Sequence, residues 1–451
     1  MLTIILGYIL LGLVPILCYH RQYKALLVIG LSSEYTECFA IIFGAFKLTA
    51  DVYIGLIFFI THLKFFVKER TIVGKFLWAE YFWVIAIGFI FLLSPWKDSA
   101  VSLRTWTQSQ TGRTFIGIIR MIEPILVFYF FYYLFFLQKI TLQFFLKTIC
   151  WLSIGSVIVG IVDTFLLEGL LKSQFHFLER EVLSDRFTGL FVEPRYLARI
   201  LGITMMTLLC LRGTILNQKA QLLFIITIFC CLAGIGMSMS SSAIAATSMA
   251  FLVYLIVFSV KLKKIVLYVV LLVLSVFLVL QNERFIVHTT SRLAIVAVEE
   301  EEREIPNIPS FISSFEANDA CALAFLYTNP KHLLWGVGPN TICIPANDFM
   351  APYTEKMLDF NLNNPPYTFL IYYFSRSGFF GVICYLLIFG ILIRSLSKFN
   401  TAYSKFLMIC AVFFFFSSNN FNFIFAILGI MSAAYEQTQK GVDNQDLKQW
   451  I

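Results

Sequence analysis

Arg195 and Arg199 stand four residues apart directly after Glu193-Pro194, where GLFVEPRYLARI (189–200) runs into a long apolar stretch. The residue before a proline avoids the α region, and proline is favoured at the first position of a helix. The stretch therefore predicts a helix that begins at Pro194, with both arginines on one face of its first two turns. A helix start is unfavourable for a cation, because its N–H groups already carry partial positive charge. What those N–H groups and two guanidinium groups make together is a concentrated anion site, and a diphosphate fits it. Glu193, held just outside the helix, has the chemistry of a general base. Asp185 and Arg186 add charge at the same end, and His176 and Glu181 lie in the same connecting stretch. Spacing alone does not choose a base among them. The plainer reading of the two arginines is that they reach lipid headgroup phosphates.

Arg120 and Glu123 lie inside the apolar run FIGIIRMIEPILVFYFF. At i and i+3 they can pair across one turn, which lowers the cost of placing either in lipid. Pro124 predicts a kink there, and with it room for a polar cavity. A purely structural ion pair is the alternative. Arg376 is a further charge inside an apolar segment. In the longest polar stretch, Arg284 and Arg292 are basic candidates, and Lys331 and His332 precede LLWGVGPN, whose Gly336, Gly338 and Pro339 predict a tight turn. Each of these reads equally as solvated surface. The chain holds no DxD, no paired Cys or His at metal-ligand spacing, no P-loop and no GxSxG. ATP-driven transport and zinc or serine hydrolysis find no support, and neither metal nor cofactor is expected.

The elements that must position these residues follow from composition. Of 451 residues, 59% are hydrophobic and only 14% charged, against about 25% charged in a soluble domain; mean hydropathy is +0.81. The chain reads as an all-α polytopic membrane protein. Spans of about 20 apolar residues are expected at 2–18, 25–43, 50–66, 76–95, 114–137, 142–166, 190–211, 220–238, 242–260, 265–281 and 366–393. The run 404–434, interrupted by SSNN, gives one more or two, for 12 or 13 in all. Residues 2–18 lack a charged leader and a cleavage pattern, so they read as a retained helix. The net charge of +7 is no sign of nucleic-acid binding, because its placement in short loops sets orientation instead. KLKK (261–264), Lys64 to Lys75, Arg212 with Lys219, and Arg394 to Lys405 mark the cytoplasmic side. The opposite side then holds 96–113, 167–189, the N-terminus and a long loop.

That loop, between Gln281 and Pro365, holds eleven acidic and five basic residues, including the row Glu299–Glu302. It is too long for a bare connector, and its helical pieces and turn signals predict a small helical cap. The expected layout is a membrane domain over 1–281, the cap over 282–365, closing helices over 366–435 and a polar tail over 436–451. Eight of the ten cysteines fall in apolar segments and read as small core residues. Cys321 and Cys343 share the cap, where pairing is open to them outside the cytoplasm.

This layout resembles the Wzy-type O-antigen and capsule repeat-unit polymerases, within a superfamily shared with the O-antigen ligases. Four stretches carry the resemblance: FTGLFVEPRYLARILGI, MSMSSSAIAATSMAFLVYL, FLYTNPKHLLWGVGPNTI and NNPPYTFLIYYFSRSGFFGVICYLLIFGIL; ADVYIGLIFFI adds a weaker match. Many relatives, the ligases among them, show a His-Asn pair before the closing helix, where this chain has Asn363-Asn364-Pro365-Pro366. The Ser-rich helix, which often carries an arginine, has Ala243 instead. The first departure favours the polymerase over the ligase, and the large loop favours both over a lipid-oligosaccharide flippase. The resemblance implies a metal-independent glycosyltransferase of the bacterial inner membrane. It moves a growing glycan from undecaprenyl diphosphate onto a lipid-linked repeat unit. It further implies Glu193, Arg195 and Arg199 as catalytic residues, with substrate contacts from Arg186, Asp185, His176, Arg120, Glu123, Arg292, Lys331 and Arg376. The expected partners are undecaprenyl-diphosphate-linked glycans and membrane lipids, with a chain-length regulator and a flippase nearby.

Overall fold

The structure, a computed structural model, describes residues 2–36, 39–43, 46–68, 71–93, 109–176, 187–191, 193–211, 218–238, 240–258, 308–309, 312, 317–339, 341–350, 366, 368–416 and 422–439. The expected span 265–281, Glu299–Glu302 and residues 440–451 of the tail lie outside them, while 436–439 continue the last helix. In chain order the elements are α1 (Leu2–Tyr19), α2 (Tyr23–Thr36), β1 (Ala40–Phe43), β2 (Phe46–Thr49), α3 (Ala50–Thr61), α4 (Leu63–Lys68), α5 (Ile72–Leu92), α6 (Gln110–Phe136), α7 (Leu142–Phe165), α8 (Leu170–His176), α9 (Pro194–Leu211), α10 (Gln218–Ser238) and α11 (Ser241–Val257). Three short helices follow, α12 (Ala317–Thr328), α13 (Pro330–Trp335) and α14 (Cys343–Met350), and then α15 (Phe369–Ser397), α16 (Thr401–Phe416) and α17 (Asn422–Gln439).

The protein is an all-α polytopic membrane protein. Among the described residues, six helices are long and apolar enough to cross a membrane: α5, α6, α7, α9, most of α10 and most of α15. Their starts follow local chemistry. Thr71, Ser109 and Thr141 each accept from the backbone N–H three residues on, capping α5, α6 and α7. The run 404–434 resolves into two helices, α16 and α17. The expected span 25–43 is shorter than its apolar run: α2 stops at Thr36, and AIIF folds back on FKLT as an antiparallel hairpin with Ala40 opposite Thr49. A short apolar run carries no periodicity that separates a strand from a helix.

Small residues and polar contacts hold the bundle, as expected where lipid removes the hydrophobic drive between helices. Gly429 of α17 lets the backbone of α6 approach, since a Cβ there would meet Phe128 O at 2.6 Å. Gln437 reaches Phe136 O at 2.8 Å, and Ser156 Oγ donates to Tyr35 O at 2.9 Å. At one end of the bundle Gln110 Nε2 donates to Phe91 O at 2.7 Å, tying α6 back to α5. The cap helices α12–α14 lie at that end, where Asp319 of α12 accepts from Thr368, the residue that opens α15. The opposite end carries the basic connections: Arg21 and Lys24, Lys64 and Lys68, Lys139, and Arg394 with Lys398.

Candidate functional site

At the cap end, the approach to α9 is fixed from below. Asp163, buried near the end of α7, accepts from Leu171 N at 2.7 Å and Lys172 N at 3.1 Å. These are otherwise orphaned donors of the first turn of α8. Lys172 is thereby turned inward, buried, with its Nζ donating to Thr188 Oγ1 at 2.7 Å. Burial pushes its ammonium below the ordinary lysine value, with Asp163 opposing the shift. Thr188 opens a tight turn, closed by Phe191 N donating to Thr188 O at 3.1 Å. Gly189 in that turn has φ +57°, a left-handed conformation that favours glycine. It lies against Gly160 of α7, where a Cβ would come within 2.6 Å of its Cα.

Pro194 is the first residue of α9, where the Glu-Pro sequence puts it. Arg195 Nε donates to the Glu193 carboxylate, and both side chains are partly exposed, 19% and 39%. Arg199, one turn deeper, is buried, with its guanidinium 5.7 Å from the Tyr196 ring. The two arginines therefore lie at two depths rather than side by side on an open rim. The cause is packing: every residue of α9 from Leu197 to Leu211 is buried, so only its first turn is open.

A second polar assembly lies at the break in α15. Gly378 leaves the helical conformation (φ 61°, ψ −157°). A break inside a membrane frees backbone groups that need partners from protein. The loop after α13 supplies them: Val337 N donates to Ser375 O at 2.8 Å, and Gly338 N to Arg376 O at 3.1 Å. Trp83 Nε1 donates to Ser377 O at 3.2 Å. Gly336 and Gly338 have φ +80° and +97°. Pro339 wedges between α5 and α6, where a Cβ on Gly88 would lie 2.9 Å from its Cδ and one on Gly117 2.6 Å from its carbonyl oxygen. The turn predicted from WGVGPN is thus a loop inserted among three helices.

Beneath the break, Arg376 Nη2 donates to Glu80 Oε1 of α5, and both residues are buried. Tyr385 donates to Glu80 Oε2 at 2.7 Å, and Tyr373 to the Tyr385 oxygen at 3.0 Å. The Arg376 guanidinium stands 3.9 Å from the Tyr373 ring centroid. A cavity of about 10 Å³ beside Glu80, Arg376 and Pro124 has room for about one water.

The remaining candidates separate. Pro124 borders the small cavity, α6 runs through that residue as a helix, and the charges at the cavity are Glu80 and Arg376. Arg120 is exposed and Glu123 half-buried, with no ion pair between them, so the expected i, i+3 pair is not formed. Arg120 is exposed like Phe115 and Ile119 beside it on α6, and its charge still acts on Glu123 without a direct contact. Lys331 is exposed at the start of α13. His176 is the last residue of α8. Asp185, Arg186, Arg284 and Arg292 lie outside the described residues. Cys321 and Cys343 are thiols, not a disulfide; Arg113 donates to Cys343 Sγ at 2.9 Å.

Sequence reasoning missed Glu80, Lys172 and Arg113. Glu80 had a signal, a single carboxylate inside the apolar WAEYFW, and an intramembrane ionisable residue is a site hypothesis by default. Lys172 had none, since its burial follows from contacts with Asp163 and Thr188. No family model matches the chain, and no curated protein matches it.

Proposed function

We propose that the chain is a metal-independent glycosyltransferase of the O-antigen or capsule polymerase kind, working in the bacterial inner membrane at its outward face. The observation that carries this reading is the start of α9. A partly exposed Glu193–Arg195 pair stands at the helix start, and Arg199 lies enclosed one turn below. The departing group of such a transfer is undecaprenyl diphosphate, whose charge grows as the sugar C1–O bond to phosphate breaks. Guanidinium groups placed in advance stabilise that charge. The acceptor hydroxyl attacks C1 and gives up its proton to a base, for which Glu193, held by Arg195, is the first candidate. The lipid tail runs between helices, and the cap covers the sugars.

The deciding experiment incubates the purified protein with an undecaprenyl-diphosphate-linked repeat unit and resolves the products by size. A ladder of lipid-linked multimers supports the polymerase. In cells, deletion should leave lipid A core carrying a single repeat unit. Complete loss of surface repeats would instead point to a ligase or a flippase.

A further inference from the structure

At the basic end of the bundle, a groove of about 490 Å³ opens to the outside between α3, α4, α5 and α6. This is the size range of small-molecule and lipid sites. Its walls are aromatic: Phe59 stacks on Phe66 at 5.7 Å, and Trp78 on Phe82 at 5.8 Å. Lys75, Trp78 and Phe82, spaced i, i+3 and i+7, form one stripe of α5 along it. A phenol hydroxyl sits among the rings. The Tyr129 hydroxyl accepts from Trp78 Nε1 at 3.0 Å, and among the described residues it donates to nothing. Gly74 keeps the space for that hydroxyl, because a Cβ would stand 2.6 Å from it. Lys75 lines the groove and is exposed, Lys64 and Lys68 are exposed on α4, whose Leu63 and Val67 form part of the wall, and none of the three has a carboxylate partner among the described residues.

We infer that this groove holds one anionic phospholipid, its acyl chain along the Phe59–Phe66–Trp78–Phe82 wall and its headgroup phosphate at Lys75. Charge decides the occupant: Lys75 lines an apolar slot that faces lipid, and Lys64 and Lys68 add exposed positive charge on the adjoining α4. Each lysine near such a headgroup favours an anionic lipid over a zwitterionic one. The unspent Tyr129 proton offers a hydrogen bond to an ester or phosphate oxygen below the headgroup. The site lies at the opposite end of the bundle from the start of α9 and is independent of the transferase reading.

Native mass spectrometry of the detergent-purified full chain with added phosphatidylglycerol or phosphatidylethanolamine reads retention directly. One phosphatidylglycerol per chain should be retained in preference. Lys75→Gln should lower that retention about fivefold, while Lys398→Gln, an exposed lysine of the same end outside the groove, should leave it unchanged. Both variants are surface changes, so size-exclusion profiles should match the parent. Equal retention of the two lipids overturns the inference. So does an unaltered Lys75→Gln, or an equal fall in both lysine variants, which would reduce the effect to general surface charge.

Discussion

Glu80 and Arg376 are 296 positions apart in the chain and form a buried ion pair directly beneath the break in α15. Removing one partner leaves an uncompensated buried charge, which costs roughly 3–5 kcal/mol, whereas removing both is often neutral. Glu80→Gln and Arg376→Met should each lower the melting temperature in detergent sharply. The double variant should recover at least half of the loss. Additive losses would mean that the two residues act separately.

The inserted loop depends on bare backbone at its neighbours. In Gly117→Val the side chain collides with the Pro339 carbonyl, and the loop must lift away from α6. Cys343, four residues beyond Pro339, reports on this. It is buried, and burial pushes its thiol above the ordinary value, with Arg113 opposing the shift. We expect Cys343 to resist a membrane-impermeant maleimide in the parent and to react several-fold faster in Gly117→Val. A Cys343→Ser background assigns the label.

His332 makes the cap sensitive to acid. It stacks on Phe325, with ring centroids 5.5 Å apart. Burial pushes its pKa below the ordinary value, the Gly336 carbonyl opposes the shift, and neighbouring Lys331 adds to it. The folded form therefore binds its proton less readily than the unfolded form, and stability rises with pH across that interval. The neutral ring's contribution is fully present above about pH 6.5, the unfolded value, and is lost as pH falls below it. Melting temperatures at pH 5.5 and pH 8 should differ by less in His332→Gln than in the parent. An unchanged difference would place the acid sensitivity elsewhere.

For the transferase reading, Arg195→Ala should cost about 10²-fold in multimer formation, the usual loss for one electrostatic stabiliser of a departing anion. Its partial exposure makes it a fair test, because the protein should still insert and elute as the parent does. Arg199→Ala should lower multimer formation at least as far, and with lower stability, since Arg199 is buried. Normal chain lengths from Arg195→Ala would end the proposal for that residue.

The start of α9 was legible because its determinants are local: Glu-Pro sets the boundary and the two arginines follow within five residues. The depth of Arg199 was not, because it depends on how completely other helices enclose α9. The glycines of WGVGPN announced a turn, and the positive φ of both Gly336 and Gly338 bears this out. Nothing near them in sequence names Gly88 and Gly117 as the surfaces that receive Pro339. Arg120 and Glu123 looked paired because spacing was the only information, yet Arg120 is exposed and makes no direct ion pair with Glu123. Arg376 was visible as a charge in an apolar segment, while its partner in α5 is a fact of tertiary packing alone.

The apolar interior of the cap is walled partly by the membrane helices. Cys321, Phe325, Leu326, Val337, Ile342 and Ala346 pack in one cluster with Phe91 of α5 and Ile371 of α15. A cap expressed alone would leave that cluster open where those two side chains close it. It would also leave Val337 and Gly338 without the carbonyls that their N–H groups meet. The cap and the lipid-crossing part are thus one folding unit, and substitutions at Phe91 or Ile371 should loosen the cap as much as changes within it.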